Sequence, residues 1–117
     1  MKEWSARRLR AVADAYLRRI LDSDDVPHVN ELAVSLDMSS PDFSNLFFER
    51  VRVHPSEYLK RQQIDCAKGL LAETGLPINQ IAYKCGFRTR RSFFRAFKRM
   101  AGTTPARYRT DHRRYPK

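Results

Sequence analysis

One stretch near the end of the chain combines aromatic and cationic residues at helical spacing. With Phe93, Phe97 and Met100 facing a core, the positions left facing outward are Arg91, Phe94, Arg95 and Lys98. An arginine guanidinium can donate two parallel hydrogen bonds to guanine O6 and N7, and a lysine ammonium pairs with phosphate. Together with the neighbouring Arg90, these residues predict a helix face that contacts nucleic acid.

The cations of this region have almost no acidic neighbours. From residue 88 onward there is one acid, Asp111, against eleven basic residues: Arg88, Arg90, Arg91, Arg95, Lys98, Arg99, Arg107, Arg109, Arg113, Arg114 and Lys117. An ordinary solvated helix face would interleave acids as i,i+4 partners. Because the whole chain has 23 Lys and Arg against 13 Asp and Glu, a polyanion is the expected partner. A merely soluble basic surface is the weaker interpretation.

This stretch belongs to the second of two copies of one pattern, and the first copy lies about fifty residues upstream with different outward residues. Leu32-Ala33, Phe43, Phe47 and the pair Pro55 and Tyr58 correspond to Ile81-Ala82, Phe93, Phe97 and the pair Pro105 and Tyr108. This alignment places Ser40, Pro41, Ser44 and Asn45 opposite Arg90, Arg91, Phe94 and Arg95. Asn45 can pair with adenine N6 and N7. The alternative interpretation is that Asn45 is an ordinary exposed helix residue with no role in binding. The second copy is therefore expected to supply most of the affinity, and the first to tune sequence choice.

Each copy has the layout of a short helix, a tight turn and a longer helix, which is a helix-turn-helix. The chain is accordingly predicted to be all-α, with seven helices forming two helix-turn-helix subdomains joined by a long connecting helix. Residues 1–54 would hold the N-terminal helix and the first subdomain, and residues 55–74 the connecting helix. Residues 75–117 would hold the second subdomain and a basic tail.

Capping residues and apolar periodicity predict where these helices begin and end. Hydroxyl residues precede four of them, proline stands in the first turn of several, and Gly86 and Gly102 follow two of them. Asp37 is expected to end the second helix in the left-handed conformation. The predicted helices are 6–22, 30–36, 40–51, 55–73, 78–85, 90–101 and 105–110, followed by a fraying tail over 111–117.

Nothing in the sequence suggests an enzyme, a cofactor or a metal. Cys66 and Cys85 form no CxxC pair and have no histidine at metal-ligand spacing, so neither zinc nor a disulfide framework is indicated. His28, His54 and His112 are scattered and are interpreted as surface residues. No apolar run has the length of a signal sequence or a membrane span, and a cytoplasmic protein is expected.

The second copy carries a recognisable motif. Ile81-Ala82, Gly86-Phe87, Phe93, Arg95, Phe97-Lys98, Gly102, Thr104-Pro105 and Tyr108-Arg109 resemble the signature of the DNA-binding domain of AraC/XylS transcription regulators, with the likeness extending over residues 29–109. The resemblance implies recognition helices at 40–50 and 89–100 that enter successive major grooves of double-stranded DNA, about 34 Å apart. It also implies that Lys98 contacts phosphate. RNA polymerase is a further expected partner, and a sensor or dimerisation domain is expected if the chain is part of a longer protein.

Four positions depart from the family pattern. Phe48 stands where the second copy has Lys98, and is interpreted as a core residue in preference to an exposed apolar contact. Arg52 and Val53 replace the glycine and its neighbour that usually follow the first recognition helix. Gly69 lies inside the connecting helix, so either local packing requires it or that helix is looser than usual.

A protein-interaction module is the competing interpretation. Its basic helices would dock an acidic partner, such as a polymerase subunit, and its binding to DNA would be weak and indifferent to sequence. Selection of bound duplexes distinguishes the two functions.

Overall fold

A computed structural model describes residues 3–114, which form seven α-helices and no strand. The helices are α1 Ala6–Asp22, α2 Val29–Ser35, α3 Ser40–Val51, α4 Pro55–Glu73, α5 Ile78–Lys84, α6 Arg90–Ala101 and α7 Pro105–His112. The predicted order and number of helices are confirmed, and the all-α fold contains two helix-turn-helix subdomains. Within residues 3–114, no helix is both long enough and apolar enough to cross a membrane.

Four helices begin at a hydroxyl residue that caps them. The side-chain oxygens of Ser5, Ser39, Thr89 and Thr104 each accept a hydrogen bond from the backbone N–H three residues later. Such a bond satisfies one of the amide groups that the first turn of a helix leaves without an intrahelical partner. These caps explain why the starts of α1, α3, α6 and α7 follow from sequence alone.

The last helix is longer than predicted. It continues to His112, two residues beyond the predicted end at Thr110. Two i,i+4 contacts extend it: the His112 ring stacks on Tyr108 with 4.0 Å between centroids, and Arg107 pairs with Asp111 at 3.4 Å. Residues 115–117 of the predicted tail lie outside the described residues.

The chain divides into two compact units, of which the first ends at Leu59 and the second begins at Lys60. In the first unit, the buried core is formed by Leu9, Ala13, Tyr16, Leu17, Leu32, Ala33, Phe43, Phe47, Tyr58 and Leu59. The Tyr16 hydroxyl fixes the start of α2, because it accepts from the His28 N–H at 2.9 Å and donates to Glu31 Oε1 at 2.7 Å. The face of α1 that carries Leu9, Ala13, Tyr16 and Leu17 is therefore buried in the same core as α2 and α3.

The second unit is built around a group of aromatic rings. Phe93 lies at its centre, with ring centroids 5.3 Å from Phe87 and 5.7 Å from Phe97. The remaining buried members are Ile64, Ala67, Leu71, Ile81, Ala82, Cys85 and Ala96. Met100 is half-buried against this cluster, so the packing expected for the inward side of α6 is confirmed.

Equivalent turns of the two copies share a left-handed backbone even where the residue types differ. Asp37 has a φ of 58° and its counterpart Gly86 a φ of 82°, each at the turn between the two helices of a subdomain. Arg52 has a φ of 72° and its counterpart Gly102 a φ of 77°, each directly after the second helix of its subdomain. The left-handed conformation costs a non-glycine residue about 1 kcal/mol. Asp37 and Arg52 therefore each lower the stability of the first unit, whereas the glycines at the equivalent positions of the second unit do not.

Gly69 has no packing role. It lies on the exposed side of α4, and a Cβ added there would contact nothing within 4 Å. Packing is therefore the wrong explanation for this glycine. Replacing Gly69 by alanine is expected to raise the free energy of unfolding by roughly 0.5–1 kcal/mol, because alanine loses less conformational entropy in a helix. Urea denaturation followed by circular dichroism measures the change.

Gly102→Ala is the matched control. A Cβ at Gly102 also meets nothing within 4 Å, but this glycine has a φ of 77°. The same substitution should therefore lower the free energy of unfolding there, by roughly 1 kcal/mol. A loss of stability in Gly69→Ala would contradict our interpretation of that site.

Candidate nucleic-acid interface

The turn before α6 is held by the side chain of a residue on α4. The buried Gln63 amide nitrogen donates to the carbonyl oxygens of Cys85 at 3.0 Å and Gly86 at 3.1 Å. Thr89 then caps α6. Because the turn is fixed on one side and the aromatic core holds the other, the orientation of α6 within its unit is set before any ligand binds.

The outward side of α6 is cationic. Phe93, Ala96 and Phe97 are buried, which leaves exposed the residues Arg90, Arg91, Arg95 and Lys98. Within residues 3–114, no carboxylate lies at ion-pair distance from any of these four cations. No carboxylate of the described residues therefore neutralises the positive charge of this face.

Phe94 is half-buried, whereas the sequence predicted an outward-facing residue. Its ring packs edge-on against Phe93 with 5.8 Å between centroids, and the Arg90 guanidinium lies 4.8 Å from its centroid. The reason is that Phe94 lies at the margin of the helix face, where a large ring reaches the core. Phe94 thus supplies an apolar support beneath Arg90 as well as part of the surface.

Arg95 stands between two surface clefts of the second unit. One, of about 490 Å³, is lined by Phe94, Arg95, Lys98, Arg99 and Thr104. The other, of about 340 Å³, is lined by Lys60, Ser92, Arg95, Ala96 and Arg99. Cations from α4 and α6 line these clefts together with hydroxyl groups, a combination suited to phosphate oxygens and base edges.

The tertiary structure assigns several other cations of the C-terminal region to structural contacts. Arg109 donates to the carbonyl oxygens of Leu71 and Thr74, both at 3.1 Å, at the end of α4. Arg107 pairs with Asp111, and Arg114 pairs with Glu73 at 3.3 Å. The basic residues counted in the sequence are therefore not one uniform patch: Arg107 and Arg114 are exposed but have acidic partners, whereas Arg90, Arg91, Arg95 and Lys98 on α6 have none among the described residues.

In the first unit, the outward side of α3 is polar. Pro41 and Asn45 are exposed, and Ser40 and Ser44 are half-buried. Ser39 provides the cap of this helix, so the hydroxyls of Ser40 and Ser44 are not needed for that role. The four residues predicted for this face lie on one helix, and the four cations and Phe94 of the second unit lie on another.

Phe48 is not a core residue. It is 40% exposed, while the adjacent Phe47 is fully buried. The Phe48 ring stacks on His54 with 4.6 Å between centroids, and the Arg52 guanidinium lies 5.7 Å from its centroid. The prediction was wrong because it followed hydrophobicity alone, whereas the helical register places Phe48 on the side that Lys98 occupies in α6.

Lys60, Ser92, Arg99 and Thr104 line the clefts but were not singled out from the sequence. Arg99 follows Arg95 by four residues, so helical spacing is a signal that could have found it. Lys60 belongs to α4 and lies thirty residues before the start of α6, and no local pattern connects the two.

Comparison with known proteins identifies relatives over most of this region. The family described as Helix-turn-helix domain matches residues 32–111, more than half of the chain. LumQ, a probable transcriptional regulator from Photobacterium leiognathi, is 38% identical over 80 residues, which are 68% of this chain and 32% of LumQ. The chain thus spans about a third of the length of this curated relative.

Solved structures share the fold. The C-terminal domain of AraT, a response regulator from Geobacillus stearothermophilus, has a TM-score of 0.81 at 24% identity, and the match covers 94% of this chain and 87% of that domain. The DNA-binding domain of AdpA, a global transcriptional factor, was solved in complex with a target DNA. Its TM-score is 0.78 at 27% identity, and the match covers 88% of this chain and 90% of that domain.

Proposed function

We propose that this chain, which belongs to the AraC/XylS-type family of helix-turn-helix proteins, binds double-stranded DNA sequence-specifically and regulates transcription. The observation that carries the proposal is the exposed cationic side of α6, whose four cations have no carboxylate partner among the described residues. A helix that buries its apolar side and presents unpaired cations favours a polyanion as ligand.

In the proposed complex, α6 enters a major groove of B-DNA. That groove admits an α-helix, and each base pair presents a distinct pattern of donors and acceptors in it. Arg91 or Arg95 pairs with guanine O6 and N7, and Lys98 binds a backbone phosphate. The guanidinium of Arg90, which lies over the Phe94 ring, has lost part of its freedom before binding.

The α3 helix enters the neighbouring major groove and discriminates by polar contacts. Asn45 pairs with adenine N6 and N7, and Ser40, Pro41 and Ser44 contact bases or sugars beside it. The exposed Phe48 ring adds an apolar contact to sugar at the position where α6 has Lys98. Since α3 lacks the cations of α6, the second unit supplies most of the affinity and the first tunes the choice of sequence.

In vitro selection from random duplexes tests this function. The expected result is a motif with two conserved blocks about 10 base pairs apart, because adjacent major grooves on one face of B-DNA repeat at one helical turn. Enrichment of a single block would contradict reading by both helices. Recovery of no sequence above background would contradict the proposed function. It would favour the competing interpretation, a protein-interaction module that binds DNA weakly and without regard to sequence.

A further inference from the structure

The two cysteines of the chain are neighbours in the second unit. Cys66 lies on α4 and Cys85 follows the last residue of α5, yet their Sγ atoms are 3.2 Å apart. Both are free thiols. Since the chain has only these two cysteines, any disulfide within one molecule must join them.

The backbone around the pair is already held in place. Gln63, one helical turn before Cys66 on α4, donates to the Cys85 carbonyl oxygen at 3.0 Å. The Cys85 N–H donates to the Ile81 carbonyl oxygen at 3.0 Å. Bond formation would bring the sulfur atoms closer by about 1.1 Å, to the disulfide length of about 2.05 Å. A side-chain rotation at the half-buried Cys66 is the simplest way to provide that movement.

The environments of the two thiols differ in a way that assigns their chemical roles. The Cys85 thiol is buried and donates to the Cys66 sulfur, which lowers the pKa of Cys66 to about 7 and raises that of Cys85. Cys66 is half-buried and within reach of a small oxidant. A lowered pKa and partial exposure are typical of an oxidant-sensitive cysteine, and a second thiol beside it can resolve the product.

We propose that Cys66 and Cys85 form a redox-active dithiol that hydrogen peroxide converts into a disulfide bond within the second unit. The Cys66 thiolate attacks peroxide, the O–O bond breaks, and the products after proton uptake are a sulfenic acid and water. The Cys85 sulfur then displaces the hydroxyl group of that sulfenic acid, and a second water leaves. Overall, the two thiols lose two protons and two electrons, and one peroxide is reduced to two waters.

The disulfide would tie α4 to the turn that precedes α6. Gln63 holds the same turn through hydrogen bonds, so oxidation would add a covalent link at the element that sets the orientation of α6. The chemistry of the pair depends only on the two thiols, and it stands whether or not α6 binds DNA.

The test is oxidation of the full, reduced chain by one equivalent of hydrogen peroxide at pH 7, followed by intact mass and by peptide mapping. The expected product is a monomer whose mass is lower by two hydrogen atoms and in which a disulfide joins residues 66 and 85. Dithiothreitol should restore the original mass. Its formation should be on the order of tenfold faster in the folded chain than in urea, because Cys66 has a larger thiolate fraction when folded. Slower oxidation of the folded chain, or disulfide-linked dimers, would overturn the proposal.

Two single variants test the assigned roles. In Cys85→Ala, peroxide should leave a sulfenic acid at Cys66 that dimedone traps. In Cys66→Ser, the buried Cys85 should stay reduced under the same treatment. Circular dichroism establishes that each variant is folded. The opposite labelling pattern, with Cys85 oxidised first, would also overturn the proposal.

Discussion

The Arg95→Ala variant is expected to bind its selected DNA site roughly 10- to 100-fold more weakly than the unmodified chain. A bidentate contact from arginine to guanine contributes about 1–3 kcal/mol of discrimination, and every 1.4 kcal/mol is about tenfold in affinity. Arg95 lines both clefts beside α6 and is exposed, so its truncation removes a cation at the centre of the proposed contact surface. Titration of labelled duplex at fixed salt measures the loss.

Arg107→Ala is the matched control for charge. It removes the same formal charge from the same unit, but Arg107 lies on α7 and pairs with Asp111. Its loss should change affinity by less than about threefold, since Arg107 lines neither cleft and Asp111 already offsets its charge. Equal losses in the two variants would show that net charge alone governs binding.

Two further variants separate sequence reading from backbone contact. Asn45→Ala should weaken binding less than Arg95→Ala and relax base choice at one position of the other block. Lys98→Ala should weaken all sequences alike and reduce the slope of log affinity against log salt by about one. Equal and small effects from Arg95→Ala and Asn45→Ala would contradict the proposed asymmetry between the two units.

Truncation of Phe47 is expected to have the largest effect on stability. Phe47 is fully buried and packs against Phe43 and Tyr58, with ring centroids 5.6 and 5.4 Å away. Phe47→Ala removes these contacts and leaves a cavity, which should lower the free energy of unfolding of the first unit by about 3–5 kcal/mol. Urea denaturation monitored by circular dichroism measures the change.

The adjacent Phe48 provides the control. Phe48→Ala makes the same chemical change in the same helix at a side chain that is 40% exposed. It should cost less than about 1 kcal/mol, because the ring gives up only its stacking on His54 and the nearby Arg52. A large loss in Phe48→Ala, comparable with that in Phe47→Ala, would contradict the exposed position of this residue.

The bounds of most helices could be predicted because the signals that determine them are local. A cap such as Ser39 or Thr89 acts on an amide three residues away, and Gly86 acts at its own backbone angle. The inward side of α6 followed from the same short-range periodicity, which placed Phe93 and Phe97 together correctly. The end of α7 was missed by two residues because side-chain contacts within the last turns extend it.

The candidate site was predicted only in part. The exposed positions of Arg91, Arg95 and Lys98 followed from helical register. Phe94, which the register also predicts to be exposed, is half-buried because its large ring contacts the core. Phe48 was misplaced because its apolar character was given more weight than its position opposite Lys98. Whether these faces contact DNA remains a prediction.

The sequence by itself determined the duplicated helix-turn-helix pattern, the capped starts of four helices and the burial of Phe93 and Phe97 on α6. Capping and helical periodicity act between residues within about four positions of one another, and the duplication is visible because the same local pattern occurs twice. Only the tertiary structure decided which distant residues meet. In the tertiary structure, Arg109 donates a hydrogen bond to the Leu71 carbonyl oxygen near the end of α4, and Gln63 donates one to the Cys85 carbonyl oxygen. The Sγ atoms of the two cysteines lie 3.2 Å apart. Such contacts join residues about twenty to forty positions apart, and their partners depend on how the helices pack, which no local pattern specifies.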